Sequence, residues 1–60
     1  MRIAYLVMLH DRPEQAVRLL RILDRPQHTL LVHVDRRADT AVRRTMQRAV
    51  DALPNASLFS

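Results

Sequence analysis

The chain has 60 residues, ten of them arginine with no lysine, no cysteine and no glycine, and a formal charge of +4. That length allows at most one small domain, and without cysteine there is neither a disulfide framework nor a thiolate metal site. Without glycine there is no G-x-G-x-x-G loop and no P-loop, which argues against a dinucleotide dehydrogenase and a P-loop NTPase.

Ile3 to Leu9 is a continuous apolar run with no period-2 alternation, which predicts a strand over about residues 3–9, covered on both faces as in a parallel sheet. Met1-Arg2 ahead of it gives a superficial likeness to a signal peptide. The run sits at the short limit for one, His10-Asp11-Arg12-Pro13 replaces the small-residue cleavage site, and a bilayer span needs far more length. The expectation is a soluble, cytoplasmic chain. Pro13 suits the first turn of a helix over about 13–24. Asp11 and Glu14 have the spacing of a capping box, although Arg12 before proline resists helical geometry. Ala16, Leu19, Leu20 and Leu23 form its apolar stripe, and Glu14 with Arg18 is a well-oriented i,i+4 pair. Pro26 stops this helix.

A second β-branched run predicts a strand over about 29–34, closed by Asp35. Asp39 or Thr40 then caps a helix over about 40–53. Val42, Met46, Ala49, Val50 and Leu53 keep its helical period, with Arg43, Arg44, Gln47, Arg48 and Asp51 on the wet face. Pro54-Asn55 ends it, and a third strand begins at about 57–60. Asn55-Ala56-Ser57 matches a glycosylation sequon, which without an export signal reads as chance.

This order predicts an α/β chain, a parallel β-α-β-α-β unit built from right-handed crossovers. Strands added in one direction put both helices on one face, leaving apolar side chains bare on the other. Soluble monomers do not leave such a face uncovered. The chain is therefore expected to be the opening of a larger α/β domain, with the cover supplied by later residues or a partner.

Ligands bind open parallel sheets at the carboxyl ends of the strands. Those ends carry Leu9-His10-Asp11-Arg12 and His33-Val34-Asp35-Arg36-Arg37. A carboxylate closing the second strand accepts two donors at once, which suits a ribose or a base. Asp35 is placed for that role; capping its own loop is the plainer alternative. Any diphosphate would need side-chain cations such as Arg12, Arg36 or Arg37. His10 has a bland reading as a strand-end residue bonded to a carbonyl, and His33 as a buried structural residue. The histidines lack zinc-site spacing, and no metal is expected.

Ala4-Tyr5-Leu6-Val7 leading to His10, Pro13-Glu14-Gln15, Arg18-Leu19-Leu20 and His33-Val34-Asp35-Arg36 together resemble the start of the Core-2/I-branching glycosyltransferases. These include β-1,6-N-acetylglucosaminyltransferases and peptide O-xylosyltransferases. The resemblance runs to about Asp39, with Asp11 and Arg12 departing from the family's Lys-Asn. It implies a GT-A-like fold and inverting, metal-independent transfer from a UDP-sugar to the hydroxyl of a glycan or other acceptor. It also implies that Asp35 contacts the uridine moiety, that His10, Leu9 and Asp11 line the same pocket, and that Arg36 flanks it. The family's catalytic base and diphosphate-binding cations would lie beyond residue 60, so no catalytic residue is assigned.

Two other readings remain open. One is a small basic module binding nucleic acid or protein through the arginines of the second helix. Tyr5 and Phe59, the only Tyr, Phe or Trp residues, offer no stacking platform, so nucleic acid is not expected. The other is a truncated reading frame without a function of its own.

Overall fold

The two long apolar runs and the short third one each form a strand, and the two amphipathic stretches between them form helices. The computed structural model describes residues 2–60; Met1, where the leader-like run starts, lies outside them. In chain order the elements are β1 (Ile3–Leu9), α1 (Pro13–Leu23), β2 (His28–Val34), α2 (Thr40–Asp51) and β3 (Ala56–Phe59). The sheet is parallel with strand order β1-β2-β3, so β2 is central. Leu6 pairs with Leu31 and Leu31 with Ser57, while Met8, His33 and Phe59 line up in the same way nearer the carboxyl ends. No helix is long and apolar enough to cross a membrane among the described residues.

β1 keeps its expected bounds, and the other elements differ by one or two residues, each for a local reason. α1 stops at Leu23 because Asp24 already turns extended ahead of Pro26. β2 starts at His28, where the His28 N–H bonds the Arg25 carbonyl and Ile3 N–H bonds that of Gln27. α2 ends at Asp51, and its last turn closes by bonds from Ala52 to Arg48 and from Leu53 to Val50. β3 begins at Ala56, beside the bond from Leu30 N–H to the Asn55 carbonyl. The Asn55 side chain donates from Nδ2 to the Pro26 carbonyl, joining the two turns at the amino end of the sheet.

The core lies between the helices and one sheet face. Leu20, Leu30, Val32, Val34 and Met46 have no exposed surface, and Val7, Ala16 and Val50 complete the buried cluster. Both helices contribute to it, as one-directional right-handed crossovers require. The α1 stripe is narrower than its sequence implies: Leu20 is fully buried, Leu19 is 42% exposed, and Val17 packs at the core margin instead. Val42 and Leu53 pack at the α2 margin as expected.

The opposite sheet face is bare. Leu6 and Met8 are 59% and 68% exposed, so β1 is covered on one face and not on both. Leu31 and His33 are half-buried there, and Phe59 is exposed beside His33. The two rings meet edge to face at 5.1 Å, the geometry favoured by aromatic quadrupoles.

Three expected surface interactions do not form. The capping box is absent: Arg12, not Asp11, occupies the cap position of α1, and no side chain caps it. Glu14 and Arg18 make no ion pair within 4 Å among the described residues. Asp39 takes the cap position of α2, its carbonyl accepting from Arg43 N–H, but its carboxylate does not cap. At α1 the cause is backbone geometry. Arg12 sits at φ 53°, ψ 57°, the single non-glycine positive φ described, and this left-handed step turns the chain from β1 into Pro13.

That conformation costs a side-chain-bearing residue roughly 1–2 kcal/mol, while glycine adds about 0.5–1 kcal/mol of unfolded-state entropy. Arg12→Gly is therefore expected to raise stability by up to about 1 kcal/mol, seen as a higher urea midpoint at unchanged slope. A lower midpoint would show that the Arg12 side chain makes a contact outweighing the backbone strain.

Candidate functional site at the carboxyl ends of the strands

Asp35 is the most firmly held residue at this edge. Its N–H donates to the Leu9 carbonyl at 3.0 Å, which ties the end of β2 to the end of β1. Its carbonyl accepts from Ala38 N–H at 3.0 Å and from Arg43 Nη2 at 3.3 Å. Arg43 was expected on the wet face of α2 with Arg44 and Arg48; it is half-buried and turned back to the end of the strand. An arginine one turn into a helix that follows a strand-ending Asp is the signal that marks it, because the short loop returns that turn to the strand end. Gln47 and Asp51 bond each other on the exposed side at 2.8 Å.

The carboxylate is held as well. Oδ1 accepts from the Arg37 backbone N–H at 2.8 Å and from Arg37 Nε at 3.3 Å, and Oδ2 accepts from Arg37 Nη2 at 3.3 Å. The side-chain donations of Arg37, and after them its backbone N–H, hold the Asp35 pKa down to about 2 from 3.8. The positive charge of Arg37 and, less, the nearness of His10 act in the same direction. The guanidinium pKa of Arg37 rises for the reciprocal reason. Asp35 does cap its own loop, then, and the carboxylate also stays ionised and open toward solvent.

The residues expected to form one pocket are divided among three adjoining hollows. Leu9, His10 and Asp35 line one of about 160 Å³, together with Met8 and His33. Asp11 lies in a neighbouring hollow of about 340 Å³ between β1 and α1, which Leu9, His10 and Arg12 share. Asp11 Oδ2 lies 3.7 Å from His10 Nε2. Arg36 belongs to an open groove of about 510 Å³ on the other side of Asp35, lined also by His33, Arg37 and Ser60. Asp35 and His33 are common to the first hollow and this groove, so Leu9, His10, Asp35 and Arg36 lie along one edge, and Asp11 lies in the hollow beside it.

His33 corrects its sequence reading. It lies half-buried on the bare face, edge to face with Phe59, and lines both spaces that meet at Asp35. Its position two residues before Asp35 was the available clue, since strand alternation sets a residue at i−2 on the same face. His10 bonds no carbonyl among the described residues, and its side chain is 72% exposed. His28 is the histidine that does: its Nδ1 lies 2.7 Å from the Leu23 carbonyl, and its ring meets Tyr5 edge to face, at the amino end of the sheet. No group of three His, Cys, Asp or Glu side chains gathers in a metal-holding arrangement among the described residues.

Chemically the edge offers an ionised acceptor fixed from its backbone, two adjacent guanidinium groups, and the imidazoles of His10 and His33. That set can accept hydrogen bonds from a pair of hydroxyls or an amide and can attract an anion. The Asp35 carboxylate, its pKa held low by Arg37, is a weak proton acceptor. The chain matches no protein-family model, and no curated protein matches it at a significant level.

Proposed function

We propose that the chain is the nucleotide-binding front of an inverting, metal-independent glycosyltransferase of GT-A-like fold, which takes a UDP-sugar and transfers to an acceptor hydroxyl. The supporting observation is that His10 and Asp35, at the carboxyl ends of adjacent parallel strands, line one hollow around an ionised carboxylate. In this reading Asp35 accepts from the uridine moiety, Leu9 and His10 wall the pocket, and Arg36 lies toward the diphosphate. Asp11 faces His10 and orients it. The catalytic base belongs to another part of the domain.

The strand order fits the same reading. It runs in one direction from β1 to β3, so a doubly wound sheet would reverse beside β1, at the strand end carrying His10. Further strands and helices of such a domain, or a partner, would cover Leu6, Met8 and Phe59.

Titrating UDP into the ¹⁵N-labelled intact protein tests the assignment. Shifts concentrated at residues 9–11 and 33–37 are the expected result. A silent spectrum, or shifts confined to the exposed arginines of α2, would reject it, the latter in favour of a basic anion-binding module.

A further inference from the structure

The Asp35 carboxylate that the nucleotide reading depends on is already occupied, and the two oxygens are occupied differently. Oδ1 is bonded to a backbone N–H that cannot leave without unwinding the loop. Oδ2 has a single partner among the described residues, the Arg37 guanidinium. The Asp35 side chain is 35% exposed and that of Arg37 is 90% exposed, so the ion pair is open to water. The guanidinium occupies Oδ2 on the side of the groove that Arg37 and Asp35 line together. Arg36 is next to it, and both line the same groove.

A guanidinium fork fits a phosphate as well as it fits a carboxylate, and exposed ion pairs are held weakly. We infer that Arg37 is a phosphate-operated cap on Asp35: an anionic group on the ligand draws the guanidinium away, and its departure frees Oδ2 for hydrogen-bond donors on the same ligand. The backbone N–H of Arg37 keeps the carboxylate oriented throughout, so removing the cap does not disorder the acceptor. The site then selects molecules carrying both an anion and neighbouring donors, a nucleoside diphosphate over a bare nucleoside. This inference rests on the nucleotide-binding reading and adds a means of selection to it.

Population arithmetic sets the size of the effect. A ligand that cannot displace Arg37 binds only the uncapped fraction, and its affinity falls by that fraction. For an exposed pair the penalty is about two- to fivefold. Losing a charge-assisted bond to phosphate weakens a diphosphate ligand by about tenfold or more.

Calorimetric titration of uridine and of UDP into the intact protein and into Arg37→Met tests the cap. The expected result is opposite movement: uridine binds about two- to fivefold tighter to the variant and UDP about tenfold weaker. Unchanged or weaker uridine binding, with UDP still binding the wild type, would overturn the cap and leave Arg37 a plain phosphate contact or a bystander. If the wild type binds neither ligand, the nucleotide-binding reading itself fails and the cap falls with it. Because Arg37 is almost wholly exposed, the variant has no packing to lose.

Discussion

Leu20→Ala is expected to lower the stability of the 60-residue chain by about 2–5 kcal/mol, whereas Leu19→Ala leaves it nearly unchanged. The two leucines are adjacent on α1, and the sequence pattern assigns both to one stripe. In the fold Leu20 is fully buried among Val7, Leu30, Val32 and Val34, while Leu19 is 42% exposed. Removing a buried leucine side chain costs about 2–5 kcal/mol, because the cavity left behind adds to the lost transfer energy. A domain of this length has about 3–9 kcal/mol of stability in total. Helix propensity scarcely enters, since leucine and alanine are both strong helix formers. A much lower urea midpoint in Leu20→Ala, set against one close to wild type in Leu19→Ala, is the outcome to look for. Equal effects from both would mean that α1 is rotated from the orientation described.

Asp35→Ala in the intact protein is expected to weaken UDP binding by about 10- to 100-fold, the cost of losing hydrogen bonds to a charged acceptor. The loss should fall on the uridine end, so uridine and UDP are both weakened while inorganic diphosphate is not. Unchanged UDP affinity would remove Asp35 from the site. Acid gives an independent handle on the same residue. Because folding lowers the Asp35 pKa to about 2 from 3.8, its contribution to stability is complete above pH 3.8 and is lost as pH falls through 2. Urea midpoints at pH 5, 3 and 2 should therefore fall less steeply in Asp35→Asn than in wild type. Parallel decline would show that the carboxylate is not held in the folded state.

A single residue, Asp35, carries both the ligand argument and much of the order at this edge. Its backbone joins β1, the loop and α2 through Leu9, Ala38 and Arg43, and its side chain orders the loop through Arg37. A substitution there acts on two properties, and the uridine-against-diphosphate comparison separates them. Arg43→Gln should disturb the position of Asp35 without touching ligand, since Arg43 reaches only the carbonyl.

The sequence alone determined the element order and the sense of the sheet. Apolar runs of strand length, separated by amphipathic stretches of helical period and punctuated by Pro13, Pro26 and Pro54, leave little freedom to the local backbone. Crossover handedness then forces both helices to one face, which is why the bare Leu6–Met8 face was legible in advance. The placement of Asp35 at a strand end was legible for the same reason. Periodicity could not decide which of two neighbouring leucines enters the core, because the stripe defines a helix face only to within about one residue and the sheet sets the rotation. Nor could it show that Arg12 turns through a left-handed step, that Asp11 lies beside His10, or that Arg37 and Arg43 both return to Asp35. Those outcomes depend on where one element ends relative to another in space. Hydrogen bonds of about 3 Å are sensitive to that separation, and spacing along the chain does not contain it.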